Sequence, residues 1–141
     1  MQYGYFDLEH KEYVITRPDT PAPWAIYLGS PEYGAIVSNN GGGYSFVKSG
    51  ANGRIIRYRF NSNIGLPGRY IYIRDNDAKD YWSCTWQPVG KPLDQYKTEC
   101  HHGTAYTTIK SDYADIHSEL TYYVPLNKTY EVWRTKITNN S

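Results

Sequence analysis

No window of this chain places apolar residues at the i, i+3, i+4, i+7 spacing of an amphipathic helix over three turns. What recurs instead is the short run rich in β-branched and aromatic residues, closed by Gly, Pro, Asn or Asp. Five such runs occur by residue 74: 12–16 (EYVIT), 35–38 (AIVS), 44–47 (YSFV), 54–60 (RIIRYRF) and 69–74 (RYIYIR). Five more follow at 81–86, 96–101, 104–110, 118–124 and 130–138. In 118–124, Leu120, Tyr122 and Val124 alternate with Glu119, Thr121 and Tyr123, the period-two pattern of a strand wet on one face. Many short strands with no helices between them predict an all-β fold, an antiparallel β-sandwich.

Turn chemistry supports that architecture. Pro18, Pro21 and Pro23 crowd the segment RPDTPAPW, and proline removes ladder donors, so this stretch is an extended connector that delivers Trp24. The segments GANG (50–53), NSNIGLPG (61–68) and DNDAKD (75–80) read as hairpin loops. Three glycines in a row, Gly41, Gly42 and Gly43, stand directly before Tyr44. A phosphate loop needs a Lys-Ser/Thr pair and a following helix, and a strand-like YSFVK follows instead. The expected role is a tight turn near a ligand cleft or domain boundary, with Gly42 and Gly43 assigned positive φ.

Fifteen basic and 14 acidic residues are mixed along the 141-residue chain, which gives no electrostatic footprint for nucleic acid or an anionic membrane. No apolar run approaches the roughly 20 residues of a membrane span, and the first residues resemble no signal peptide. The expected location is the cytoplasm, with Cys84 and Cys100 reduced. The length suits one domain, residues 1–141, or an N-terminal fragment of one. Because a long strand-like run ends three residues before Ser141, the chain reads as a piece of a larger polypeptide. An unpaired strand edge or apolar patch is then expected where the remainder belongs.

Site candidates are few. Sixteen tyrosines and four tryptophans against three phenylalanines suit half-buried sheets and surfaces that stack on sugar rings. Trp24, Tyr44, Trp82 and Trp86 are the candidate stacking residues, and His102 is a candidate substrate contact. His101 and His102 point to opposite faces of a strand, and no CxxC or HxxxH spacing exists, so no metal site is expected. One of the two should lie in or near the sheet core. Asp75, Asp77, Asp80, Glu99, Asp112 and Asp115 are the available acids, but no pair is marked out for glycoside chemistry, and no G-x-S-x-G elbow accompanies a serine. No catalytic residue and no cofactor is assigned.

Taken together, the segments YGYFD (3–7), EYVITRPDTPAPW (12–24), YLGSPEYGAIVSNN (27–40), GGYSF (42–46), RIIRYRFN (54–61), GRYIYIRD (68–75), YWS (81–83), WQPVG (86–90) and HGTAYT (102–107) resemble the N-terminus of the cellobiose phosphorylase family, glycoside hydrolase family 94. The resemblance spans essentially the whole chain. Ile26 stands where the family usually has Asn, Gly41 where it has Ala, and His101 where Arg is frequent. The resemblance implies the opening, incomplete part of a galactose mutarotase-like supersandwich, lacking the catalytic (α/α)6 barrel. The implied parent is a cytoplasmic homodimer that cleaves a β-linked disaccharide such as cellobiose with inorganic phosphate, inverting to an α-sugar 1-phosphate. The chain alone is then inactive, with a structural, dimerising and cleft-forming role. A stand-alone carbohydrate-binding module is the alternative.

Overall fold

The computed structural model describes residues 2–56 and 67–141. Within them the chain forms eleven strands: β1 (Gly4–Asp7), β2 (Glu12–Ile15), β3 (Ala25–Ser30), β4 (Tyr33–Ser38), β5 (Ser45–Val47), β6 (Tyr72–Asp75), β7 (Asp80–Ser83), β8 (Lys97–His102), β9 (Tyr106–Tyr113), β10 (Ile116–Tyr123) and β11 (Val132–Asn139). Every pairing is antiparallel. A six-stranded sheet in the order β1-β2-β8-β9-β10-β11 faces a three-stranded sheet, β3-β4-β5, with β6-β7 as a separate hairpin. The expected all-β layered fold is therefore present. Most of the 54–60 run and the 61–68 loop lie outside the described residues.

Register explains the core. Ile15, Cys100, Ile109 and Leu120 stand directly opposite one another across β2, β8, β9 and β10, and all four are buried. The next row on the same face holds Tyr13, His102, Thr107, Tyr122 and Trp133. Leu28, Tyr33, Ala35 and Val37 of the smaller sheet close over these rows, together with Cys84. Each fully buried Leu, Ile or Val contributes about 1.5–3 kcal/mol relative to exposure. β2 and β8 are neighbours although the small sheet and the β6-β7 hairpin separate them in sequence.

Two strands were not anticipated from sequence, β1 and β3. β1 is only four residues long, and its apolar Phe6 and Tyr5 are exposed. β3 begins directly after the proline connector and alternates exposed Ala25, Tyr27 and Gly29 with the more enclosed Ile26, Leu28 and Ser30. The DNDAKD loop closes the β6-β7 hairpin as expected: Asp75 Oδ1 accepts the amides of Asp77 and Ala78. Among the described residues β11 pairs only with β10 and β1 only with β2. Trp133, Ile137, Leu126 and Tyr130 are exposed on or just before β11.

Candidate functional site

The glycine turn is a junction of three parts of the chain. Ser38 begins it: the Gly41 amide donates to the Ser38 carbonyl (2.9 Å), and the Gly42 amide donates to Ser38 Oγ (2.9 Å). The Gly43 amide donates to the Pro67 carbonyl at 3.0 Å. All three amides are thus satisfied within the protein, which leaves none to cradle an anion. Positive φ occurs at Gly41 (73°) and Gly43 (115°), whereas Gly42 is bridged to Gly68 instead. This corrects the expectation for Gly42. At Gly43 a Cβ would lie 2.0 Å from the Ile36 carbonyl oxygen, so both the φ angle and the close approach of β4 demand glycine.

The two asparagines before the glycines hold the proline connector. Asn39 Oδ1 accepts the Trp24 amide (3.1 Å), and Asn39 Nδ2 donates to Thr20 Oγ1 (3.2 Å). Asn40 Nδ2 donates to the Pro18 carbonyl at 2.8 Å. On the other side, the Arg69 amide donates to the Gly41 carbonyl, and Tyr122 Oη donates to the Arg69 carbonyl at 2.8 Å. The Arg69 guanidinium is wholly buried; it grips Glu131 in bidentate fashion (2.6 and 2.9 Å) and donates to the Ile36 carbonyl at 3.0 Å. Trp133 Nε1 donates to the same Glu131 carboxylate. In sequence Arg69 reads as a strand-opening cation, and no local signal ties it to a carboxylate 62 residues away.

The sequence-selected aromatics fall into separate places. Trp24 is half-buried, 5.9 Å from the Tyr3 ring and 5.8 Å from the Tyr13 ring. Its carbonyl accepts a hydrogen bond from His102 Nε2 (3.1 Å). His102 is buried, and Thr107 Oγ1 lies 3.0 Å from its Nδ1; because a carbonyl can only accept, Nε2 carries the proton and Thr107 donates. Burial pushes the His102 pKa down, in keeping with a neutral ring. Tyr44 is half-buried with its ring 6.0 Å from Phe46. Trp82 is 2% exposed and packs 5.1 Å from Tyr113. Trp86 is half-buried at φ 64°, its amide accepted by Tyr96 Oη (3.1 Å) and its indole donating to the Lys91 carbonyl (2.7 Å). Trp24 and His102 meet, Trp82 and Trp86 share the Tyr96–Tyr113 neighbourhood, and Tyr44 stands apart.

The outer face of the six-stranded sheet is polar and paired. Tyr106 Oη donates to Glu12 Oε1, Glu12 Oε2 faces His101 Nδ1 (2.7 Å), His101 Nε2 faces Glu99 Oε1 (2.9 Å), and Glu99 reaches Lys110 Nζ (3.5 Å). Carboxylates only accept, so a doubly protonated His101 ring satisfies both neighbours and a neutral ring satisfies one. Burial raises the Glu12 and Glu99 pKa values, but the hydrogen bonds they accept outweigh it and both are held below the ordinary carboxylate value. His101 thus lies on the face opposite the buried His102, as strand geometry requires. Elsewhere Asp112 pairs with His117 (2.8 Å), and Asp80 pairs with Lys91 and accepts from Tyr113. A basin of about 670 Å³ is lined by Thr16, Lys97, Glu99, Lys110, Asp112 and His117 among others. Among the described residues no group of three His, Cys, Asp or Glu is placed to hold a metal ion, and no helix is long and apolar enough to cross a membrane.

An all-β, two-layered antiparallel scaffold, with Glu12, Glu99, Asp80, Asp112 and Glu131 held in ion pairs and Asp75 in a turn, defines the class: a β-sandwich domain. The glycosyl hydrolase 94 supersandwich domain matches residues 11–141. The chain belongs to that family. It is 46% identical over all 141 residues to an N,N'-diacetylchitobiose phosphorylase of Vibrio proteolyticus and 45% identical to one of Vibrio furnissii, covering 18% of each relative. It is also 34% identical over 138 residues to a 3-O-beta-D-glucopyranosyl-beta-D-glucuronide phosphorylase of Paenibacillus borealis, covering 97% of this chain and 16% of that relative. The chain thus spans less than a fifth of the length of these disaccharide phosphorylases.

Proposed function

We propose that this chain is the N-terminal supersandwich portion of an inverting glycoside phosphorylase, which cleaves a β-linked disaccharide with inorganic phosphate as co-substrate and releases an α-sugar 1-phosphate. The observation that carries this reading is 45–46% identity, over the whole of this chain and 18% of each relative, to two phosphorylases named for N,N'-diacetylchitobiose. That name favours a disaccharide of N-acetylglucosamine over cellobiose as the parent's substrate. The domain's part is architectural: it packs against the remainder of the polypeptide, helps to form a homodimer in the cytoplasm and lends loops to the sugar cleft. Support comes from the half-exposed Trp24, Tyr44 and Trp86, each fixed by packing or hydrogen bonds near a loop and available to border a cleft completed by other parts of the parent. Trp82 and His102, being buried, serve this role only by supporting their neighbours.

The test is phosphorolysis by the longer polypeptide that contains this chain. Release of sugar 1-phosphate from N,N'-diacetylchitobiose in the presence of phosphate, and its absence from the 141-residue chain alone, is the expected result. Hydrolysis without a phosphate requirement would reject the reaction class. A monomer in sedimentation would reject the dimerising role.

A further inference from the structure

A shallow groove of about 420 Å³ lies on the outer face of the sheet, beside the ion-pair network and sharing only Tyr106 with it. Its floor is Thr108 and Thr121, which stand opposite each other on β9 and β10, are more than nine-tenths buried and share a single hydrogen bond between their hydroxyls (3.1 Å). Two hydroxyls that share one bond leave one proton and several lone pairs uncommitted. At one end Tyr106 and Tyr123 face each other across the same strands. Tyr106 is held at both ends: its hydroxyl donates to Glu12 (2.5 Å), and its ring lies against Gly103, where a Cβ would come within 2.7 Å of it. On the sides are Glu119 and Arg134, the latter directly opposite Thr121. The side chain of neither makes a hydrogen bond or ion pair with another described residue, although Lys110 and Lys136 flank Glu119 across the strands. Every other acid lining this sheet's outer face between β2 and β10 is paired.

We propose that this groove is a binding site for a neutral pyranose sugar. A fixed tyrosine ring offers an apolar wall for the C–H face of the ring, with its orientation settled before binding, so little conformational freedom is lost. A sugar hydroxyl both donates and accepts, and the groove supplies the complement on each side: Glu119 accepts, Arg134 donates, and the threonine pair has one proton and free lone pairs at the base. An anionic ligand would meet Glu119, and a cationic one Arg134. The uncharged polyol suits both.

The experiment is a chemical-shift titration of the isotopically labelled chain with N-acetylglucosamine and with glucose. Expected are saturable shifts, half-complete in the low millimolar range, confined to the amides of residues 105–108, 119–123 and 134. Arg134→Ala should weaken binding about tenfold and Thr121→Val by a smaller factor. Both lie on regular strands, and their unchanged spectra elsewhere verify folding. No saturable shift, or wild-type affinity in both Arg134→Ala and Glu119→Gln, would overturn the proposal. As an independent check, crystals of the longer polypeptide soaked in N-acetylglucosamine should hold a sugar over Thr108 and Thr121; an empty groove would likewise overturn it. Binding here and phosphorolysis by the longer polypeptide are read separately, so either can fail alone.

Discussion

In the large sheet the inner face aligns Ile15, Cys100, Ile109 and Leu120 across β2, β8, β9 and β10, while one residue out of phase the outer face aligns Glu99, Lys110, Glu119 and Lys136 across β8 to β11. The first row is shut away under the small sheet, and the second alternates in charge and meets solvent. The inner face draws its stability from excluded water, so its tolerance of change is set by volume and by buried polar partners. The outer face draws on pairing, so its tolerance is set by charge and pH. The two faces share a backbone and differ by a single step of the pleat.

The comparison is broken most severely at the glycine turn that anchors the inner layer. Gly43→Val should prevent folding or cost more than about 4 kcal/mol, because a side chain there collides with the β4 backbone and rejects the φ angle. Urea denaturation, or loss of soluble chain, reads this out; wild-type stability would refute it. Next comes the buried ion pair: Glu131→Ala leaves the Arg69 guanidinium uncompensated and should cost about 3–5 kcal/mol, whereas the double change Arg69→Met with Glu131→Leu should recover most of that loss. If single and double variants melt alike, the charge argument is wrong. In the aligned apolar row, Leu120→Ala should cost about 2–5 kcal/mol.

The outer face is probed by acid. Glu12 and Glu99 have folded pKa values below their unfolded ones, so their stabilisation is present above the unfolded value of about 4.3 and is lost as pH falls through the folded values. His102 behaves in the same sense from a higher starting point: its lowered folded pKa favours the native state above about pH 6.5, and that contribution disappears as pH falls through the folded value. Stability should therefore decline in two acid stages. Glu12→Gln should flatten the lower one only, as followed by midpoint denaturant concentration against pH. A profile identical to wild type would show that the Tyr106–Glu12–His101 chain is energetically idle. The smallest effect is expected at Lys136→Ala, within about 0.5 kcal/mol, since that ammonium makes no ion pair among the described residues.

These contrasts also mark what was readable in the sequence. Strand β10 was visible in its period-two alternation, β2, β4 to β9 and β11 as short runs bounded by turn residues, and the opposite facing of His101 and His102 followed from the pleat. The turn at Gly41 to Gly43 was legible, but its φ pattern was not, since that depends on Gly68 lying against Gly42. Trp82 offered the same signal as any exposed stacking residue; its burial comes from Tyr113, thirty-one residues later. The Glu12–His101 contact joins residues 89 apart, and the Tyr106–Glu12 contact joins residues 94 apart, beyond the reach of local spacing rules. The groove over Thr108 and Thr121 is likewise a product of register.

The placement of β8 between β2 and β9 has a consequence for biogenesis. A ribosome emits roughly 5–20 residues each second, so the first hairpin waits several seconds, one flank bare, before its neighbour in the sheet has been synthesised. During that interval Val14 and Ile15, later hidden, stand open to whatever the nascent chain meets. Chaperone demand should therefore peak before residue 97 is added and subside once β8 docks.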